Sequence, residues 1–466
     1  MTSRKTSAIV LAAGLGTRMK SARPKVMHAI AGRPMIGHVI AALARLKPAR
    51  LVLVVGPGMD EVIDAARDTA PRLTIVTIVQ RVPRGTGHAA QLAMKALKGV
   101  GGDVLIVNGD GPLVQPATLA APLAALRNAP NPAIVVVGMR VLDPSLYGRM
   151  VTGENGALVR IVEARDAGER ERTIDLCNSG VIAADTRVLS DLLPRLKTDN
   201  AKQEYYLTDV VELARSAGHA CGYVEGPADE LIGIDSRDRL AVAEATMQTR
   251  LRGAAMAAGV TLVDPTTVWF SYDTKLGHDV TIGPQVVIGP GCEIGAGAEI
   301  HAFCHLEGTK IAAGARIGPF ARLRPGAVIG AGAHVGNFVE LKNAKIAAGA
   351  KINHLAYVGD ARVGEKANIG AGTITCNYDG FAKMFTDIGA GAFIGSNAAL
   401  VAPVKVGARA IVGAGAVITR NVPADALALE RSPQEIKRGW AIAFRKNRAR
   451  AVAKSRAKTK PKTRPR

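Results

Sequence analysis

Aromatic residues are scarce in this chain: Phe, Trp and Tyr make up 4% of its 466 residues, and only two are Trp. Cysteine is also sparse. The five present, Cys177, Cys221, Cys292, Cys304 and Cys376, include no CxxC spacing. An odd, scattered set in a chain of this length argues against a disulfide framework or a zinc knuckle and fits reduced thiols. No stretch reaches the roughly 18 consecutive apolar residues that a membrane span needs. The apolar run at 8–13, after Arg4 and Lys5, is too short for the core of a signal peptide. The expectation is a soluble, cytoplasmic protein. Acidic residues are outnumbered, 39 against 60 Lys and Arg, for a formal net charge of +21. The imbalance sits at one end. Residues 437–466 hold 13 basic and no acidic residues, which leaves +8 for residues 1–436. Basicity confined to a tail is weak ground for nucleic-acid binding by the folded part.

Glycine, by contrast, is abundant: 51 residues, about 11% of the chain against a usual figure of about 7%. With 48% apolar and 21% charged residues, a core can be buried. The length suggests about two or three domains. From residue 1 to about 235, short apolar runs at 8–12, 51–55, 73–79, 104–107 and 133–137 alternate with amphipathic stretches such as 35–46 and 89–97. That alternation predicts an α/β layer built on a mostly parallel, Rossmann-like sheet. Residues 237–258 have few breakers and predict a linking helix.

From about residue 264 the period changes. Aliphatic residues recur every six positions: Ile282, Ile288, Ile294, Ile300 and Leu306, then, after a slip of one, Ile311, Ile317, Leu323, Ile329, Val335 and Leu341. Further slips lead to Ile346, Ile352 and Val358, then Val363 and Ile369. The series resumes at Ile388, Ile394, Leu400, Val406, Val412 and Ile418. More than twenty hexads at this spacing are the signature of a parallel β-helix, three flat faces to a coil, aliphatic side chains inward and small residues at the corners. Hexapeptide-repeat coils wind left-handed, against the usual crossover rule. Residues 375–387 interrupt the series and are expected to project as a loop.

Two strings carry chemistry in the first half. Leu11-Ala12-Ala13-Gly14-Leu15-Gly16-Thr17-Arg18-Met19, followed by Pro24-Lys25, sets a glycine turn between a predicted strand and helix. Such a turn lets backbone N–H groups approach phosphate oxygens. Met19 stands where a dinucleotide fingerprint needs its third glycine, and no GxxxxGK[ST] is present. Arg18 and Lys25 supply cations suited to a triphosphate. The second string, Asn108-Gly109-Asp110-Gly111-Pro112, puts Asp110 at a strand's carboxyl end, where α/β sheets bind ligands and where a carboxylate suits Mg2+. Read alone, either string is as compatible with a structural turn.

Together these strings resemble the sugar-nucleotidyltransferase family. Joined to a hexapeptide-repeat β-helix, the chain resembles, over nearly all its length except the basic tail, the family of bacterial bifunctional N-acetylglucosamine-1-phosphate uridyltransferase/glucosamine-1-phosphate acetyltransferases. The resemblance implies that Leu11, Ala12, Ala13, Gly14, Gln80, Gly85 and Thr86 hold the uridine nucleotide of UTP, with Arg18 and Lys25 against its phosphates. It implies Gly148, Glu163 and Asn178 for the sugar, and Asp110 as Mg2+ ligand. The family's second metal ligand is Asn; here the matching string is Gly233-Ile234-Asp235, so Asp235 takes that place.

In the repeat region, Arg322-Leu323-Arg324, Gly336-Asn337-Phe338-Val339-Glu340-Leu341-Lys342-Asn343, His354-Leu355-Ala356-Tyr357 and Gly370–Gly380 stand out as polar interruptions. Lys342 precedes Tyr357 by 15 residues and His354 precedes Asn377 by 23, each near one coil, so they can share a surface. A histidine suits removal of a proton from an attacking amine. By the same resemblance His354 is the general base. Arg324, Lys342, Tyr357 and Asn368 would hold glucosamine-1-phosphate, and Ala371, Asn377, Tyr378, Ser396, Ala414 and Arg431 would contact acetyl-CoA. Family members are homotrimers through their β-helices. The implied product, UDP-N-acetylglucosamine, is a precursor of peptidoglycan and lipopolysaccharide. Two alternatives stand beside this reading: a single-function sugar-1-phosphate nucleotidyltransferase whose β-helix is structural or regulatory, and a repeat-protein binding module with a nucleic-acid-binding tail. The tail lacks interleaved aromatics, so no specific nucleic acid is expected. The expected division is 1–236 (uridyltransferase), 237–260 (linking helix), 261–436 (β-helix) and 437–466, a tail too poor in apolar residues to order itself.

Overall fold

The structure is a computed structural model that describes residues 4–14, 16–153 and 156–458. It contains two compact units, 1–332 and 333–466. Unit 1 opens with a mixed sheet of nine strands: β1 (Thr6–Ala12), β2 (Arg50–Val55), β3 (Ile75–Val79), β4 (Asp103–Asn108), β5 (Ile134–Arg140), β6 (Arg149–Thr152), β7 (Leu158–Val162), β8 (Leu176–Asp185) and β9 (Cys221–Glu225). The main path runs β9-β5-β8-β4-β1-β2-β3, with β6 and β7 paired off it. All neighbours on that path are parallel except β8, which is antiparallel to both β4 and β5.

The sheet is covered on both faces, so its central strands are continuous apolar runs and not alternating ones. Successive side chains still point to opposite sides. In β1, Ala8, Val10 and Ala12 enter one core with Ile36, Val39 and Ile40 of the helix Met35–Arg45, while Ile9 enters the other with Ala89, Ala90 and Ala93 of the helix Thr86–Lys95.

The linking helix runs Arg237–Ala257. One buried amide fastens it. Gln248 Nε2 donates to the carbonyl of Phe270 at 2.7 Å, and its Oε1 accepts from the Phe270 N–H at 2.8 Å. Beside it Glu244 Oε2 accepts from the backbone N–H of Ala31 at 2.7 Å. Phe270 belongs to the first coils of the β-helix and Ala31 to the sheet region, so the helix joins both to one core. By contacts, the helix and the first coils group with the sheet region in unit 1. A solenoid coil touches only its neighbours, so periodicity alone sets no domain edge.

The repeats form a parallel β-helix of two- to seven-residue strands. In unit 1 aliphatics stack in register, Ile282 with Ile300 with Ile317, and Ile288 with Leu306 with Leu323. In unit 2 Val335, Ile352, Ile369, Ile394 and Val412 form one such column. The interruption is shorter than expected. Ile374–Cys376 and Thr386–Ile388 are strands, and 377–385 makes the loop, with Tyr378 and Lys383 bridged across it. Thr375 faces inward, fully buried, in register with Leu400. Its hydroxyl is satisfied by both Gly359 backbone groups, which lets a polar residue fill an aliphatic position.

The tail differs from expectation. Trp440–Lys458 is a helix whose described side chains are exposed throughout. It has no Gly or Pro and is dominated by Ala, Arg and Lys, strong helix formers that satisfy the backbone internally without a core. Trp440 and Phe444 stack one turn apart, with centroids at 5.0 Å. Residues 459–466 of the expected tail lie outside the described residues. Among the described residues no helix is long and apolar enough to cross a membrane.

Two glycines give opposite expectations. A Cβ on Gly395 would lie 2.4 Å from the Ala414 backbone N and 2.7 Å from the Val412 carbonyl oxygen, so neighbouring coils must part to admit it. A Cβ on Gly253, within the linking helix, meets nothing within 4 Å. In urea unfolding, Gly395→Ala should destabilise the protein, whereas Gly253→Ala should stabilise it by about 0.5–1 kcal/mol. A stabilising Gly395→Ala would refute the close stacking of corners.

Candidate functional sites

Parallel pairing of β1 with β4 sets Leu11 opposite Asn108, and the Gly109 N–H donates to the Leu11 carbonyl at 2.9 Å. The turn after β1 and the carboxylate after β4 thus meet at one sheet edge, the place where open α/β sheets bind ligands. A cavity of about 340 Å³ opens there, lined by Leu11, Ala12, Ala13, Gly14, Lys25, Gln80, Gly85, Thr86 and Asp110. All nine were expected from the sequence to serve nucleotide or metal. Gly16 is at φ +64°, and a Cβ on it would lie 2.5 Å from Lys25 Cβ. The glycine lets the lysine close over the turn, where Lys25 Nζ reaches Asp110 Oδ2 at 2.5 Å. Gln80 is buried, and its amide donates to the Gly85 carbonyl at 3.2 Å and to His88 Nδ1 at 3.1 Å.

A second cavity of about 480 Å³ is lined by Arg18, Tyr147, Glu163, Asp235 and Arg239 among others. The Asp110 carbonyl accepts from the Ile234 N–H at 2.9 Å, which ties this cavity's Asp235 segment to the first site. Asp235 is ion-paired with Arg18 at 2.7 Å and lies 3.8 Å from Arg239. Glu163 accepts a hydrogen bond from the Thr208 hydroxyl at 3.0 Å, and burial pushes its pKa up. Gly148 packs beside it; a Cβ there would be 3.7 Å from Glu163 Cδ. Asn178 donates its backbone N–H to the Gly148 carbonyl and braces its own turn, Oδ1 accepting from the Gly180 N–H.

Sequence reasoning passed over several lining residues. Asn108 and Glu204 line the first cavity, and Tyr147, Lys202 and Arg239 the second. Arg239 had a signal, four residues after Asp235 at the start of a helix. Glu204 had none, because its loop reaches the cavity only through the fold.

In unit 2 the coil register brings the polar interruptions together. Asn337 pairs with His354, Glu340 with Tyr357 and Lys342 with Gly359. His354 Nδ1 lies 2.7 Å from Asn337 Oδ1. An amide oxygen only accepts, so Nδ1 is the donor, and in the neutral form of the exposed imidazole the lone pair is on Nε2. Asp360 accepts from Asn343 Nδ2 at 2.7 Å and from Asn377 Nδ2 at 2.5 Å. Burial works to raise the Asp360 pKa, but these bonds and the charges of Lys342 and Lys383 hold it below the usual carboxylate range. Along one edge the Ala371 carbonyl accepts from the Asn397 N–H, the Ser396 carbonyl from the Gly415 N–H, and the Ala414 carbonyl from Arg431 Nη1. Ala371, Ser396, Ala414 and Arg431 therefore form a continuous ladder across successive coils. Asn368 pairs with Lys351 and Phe393 in another column. Tyr378 sits in the loop, its hydroxyl donating to the Gly380 carbonyl. Arg324 belongs to unit 1, half-buried at the corner after Leu323.

Residues 8–173 match the model of the MobA-like NTP transferase domain, and residues 273–308, 308–343 and 385–420 match the bacterial transferase hexapeptide repeat. Fold and matches define the class: a nucleotidyltransferase-type domain followed by a hexapeptide-repeat β-helix. Relatives span the whole arrangement. A bifunctional protein GlmU of Rhodospirillum rubrum is 58% identical over 97% of this chain and 100% of its own length. Those of Paramagnetospirillum magneticum and Xanthobacter autotrophicus are 57% and 51% identical, each over 97% of this chain and 100% and 99% of their own. The chain belongs to the bifunctional GlmU family.

Near the second cavity Asp209 is half-buried; burial, then the charges of Glu163 and Glu212, push its carboxyl up to about 6. Its folded pKa exceeds its unfolded value of about 4, so stability is intact below that value and falls as pH rises through about 6. Asp209→Asn should raise unfolding stability by about 1 kcal/mol at pH 8 and by nothing measurable near pH 4. Urea curves at the two pH values decide it; an equal loss at both would assign Asp209 a packing role instead.

Proposed function

We propose that this chain acetylates glucosamine-1-phosphate with acetyl-CoA in the β-helix and then transfers UMP from UTP to the product in the sheet region, yielding UDP-N-acetylglucosamine and pyrophosphate. The observation that carries the reading is the coexistence of a triphosphate-suited cavity at the β1/β4 edge with the Asn337–His354 pair on a hexapeptide coil.

In uridylyl transfer a phosphate oxygen of the sugar attacks the α-phosphorus of UTP in line, and pyrophosphate leaves. Lys25 and Arg18 offset the charge that builds there. The Leu11–Gly14 turn, Gln80, Gly85 and Thr86 hold the nucleotide, while Gly148, Glu163 and Asn178 hold the sugar; fixing both converts an encounter into an oriented pair. Asp110 and Asp235 would hold Mg2+, which would shield the phosphates when bound. Two carboxylates from linked backbone segments fit that ion, because Mg2+ takes one or two protein carboxylates and completes its shell with phosphates and water. Both carboxylates carry cationic partners in the structure, and an incoming triphosphate competes for those cations and frees the oxygens.

In acetyl transfer the amine attacks the thioester carbonyl. His354 Nε2 takes the proton that the amine loses, and the CoA sulfur leaves as thiolate. Lys342, Tyr357 and Asn368 hold the sugar phosphate, and Ala371, Asn377, Tyr378, Ser396, Ala414 and Arg431 line the acetyl-CoA path. Such an open edge needs another wall, and a homotrimer through the β-helices would supply it. Exposed, stacked Phe303 and Phe320, with ring centroids 4.7 Å apart, offer apolar surface for that assembly. The place of work is the cytoplasm, where the substrates and reduced thiols belong.

Incubation with glucosamine-1-phosphate, acetyl-CoA, UTP and Mg2+ tests the whole; absence of both N-acetylglucosamine-1-phosphate and UDP-N-acetylglucosamine would sink it. Asp110→Ala should abolish uridylyl transfer and spare acetylation. His354→Ala should cut acetyl transfer by about two to four orders of magnitude and leave pyrophosphate release from UTP and N-acetylglucosamine-1-phosphate intact. Equal loss of both activities in either variant, with the fold intact, would contradict the two-site assignment. Acetylation without nucleotide product in the unaltered protein would contradict the first half alone.

A further inference from the structure

One cavity of the sheet region holds none of the residues assigned above to either transfer. It encloses about 650 Å³ beside the helix Thr86–Lys95, on the side away from the nucleotide turn. Its apolar floor includes Leu92, Met94 and Leu196, and Tyr205 supplies a flat ring. Its polar lining is one-signed: Arg84, His88, Lys95 and Lys98, with no carboxylate. Arg140, for comparison, pairs with Asp175 and Glu225. The side chains of Arg84, Lys95 and Lys98 have no acidic partner among the described residues. Burial, then the charges of Arg84 and Lys95, hold the His88 imidazole below its ordinary pKa. A volume this size suits a small molecule. Unpaired like charges facing one cavity repel one another, and an anion in it would remove that repulsion.

The cavity is also joined to the nucleotide site. His88 Nδ1 is hydrogen-bonded to Gln80, and Gln80 to the Gly85 carbonyl. The Tyr205 carbonyl accepts from the Gly87 N–H at 2.8 Å, and the Tyr205 N–H donates to the Arg84 carbonyl at 2.9 Å. One helix and one loop thus form a wall shared by both sites.

We infer that this cavity is a second ligand site, which takes a small organic anion with a flat apolar body and, through His88, Gln80 and the Tyr205 loop, changes the affinity for UTP. The coupling part rests on the uridine reading of the first cavity; the binding part does not. Charge complementarity selects the anion, and Tyr205 with the leucine and methionine floor selects the flat apolar body. Binding a negative group beside His88 favours its protonation, and a protonated Nδ1 can no longer accept from Gln80. That loss frees the Gln80 amide at the nucleotide site, which gives the two sites a physical route for coupling.

The probe is naphthalene-1-sulfonate, a flat aromatic anion, titrated calorimetrically into the full-length protein with UTP at saturation. One probe per chain should bind, and the double variant Lys95→Glu/Lys98→Glu should weaken that binding by about tenfold or more, since two attracting cations give way to repelling carboxylates. Neither lysine touches the nucleotide cavity, so uridylyl transfer without probe should be unchanged in the variant. Saturating probe should shift the KM for UTP in the unaltered protein and not in the variant. Unchanged affinity in the variant, or displacement of the probe by UTP, would refute the site. Charge-dependent binding with no shift in KM would refute the coupling and keep the site. Failure of UTP itself to bind would instead count against the uridine reading.

Discussion

Parallel pairing in fixed register is the constraint on which both halves of this protein rest. A β-strand's backbone groups must find partners, and a slip of one residue sends every side chain to the wrong face. In the sheet, the pairing of Leu11 with Asn108 sets the glycine turn and Asp110 at one edge. In the β-helix, the pairings of Asn337 with His354 and Lys342 with Gly359 stack polar corners that lie a coil apart in sequence. In each case hydrophobic burial on the strand supplies the stability and fixes the register, and chemistry occupies the ends and corners where burial stops.

Charge is handled differently at the two sites. In the sheet region each acidic group proposed to meet metal already has a cation: Lys25 on Asp110, Arg18 and Arg239 on Asp235. Only Arg18 is largely exposed; the other members of these pairs are mostly buried but line the two cavities, where arriving phosphates would compete for the cations. Asp235 brings a negative charge to the second cavity, and Arg18 lies against it. On the β-helix the acidic group is Asp360, held ionised by two amide donors and nearby lysines. It anchors Asn377 and Asn343, leaving the neighbouring imidazole to Asn337.

Thr375 occupies an aliphatic place because Gly359, with no side chain of its own, presents both backbone groups to the hydroxyl. Asn343 and Asp360 take left-handed corners, at φ 46° and 47°, a conformation that these two residue types tolerate better than most.

The strands of the sheet, the linking helix and the hexad columns were legible in the sequence because each repeats a local rule: apolar runs for doubly covered strands, few breakers for a helix, every sixth residue for a coil. The strings around Gly14, Asp110 and His354 were legible as chemistry because rare residue types stand at turns and corners. Three features were not. The tail reads as unstructured when only burial is weighed, yet Ala, Arg and Lys close a helix on backbone hydrogen bonds alone. The loop at 377–385 looked longer because Thr375 hides in the aliphatic column. Glu204 and Tyr205 reach the wall between two cavities by a loop over a hundred residues from Gln80. Periodicity and local propensity act over a few residues and so can be read along the chain, whereas contacts between distant loops, and the satisfaction of one polar group by another, exist only once the chain is folded.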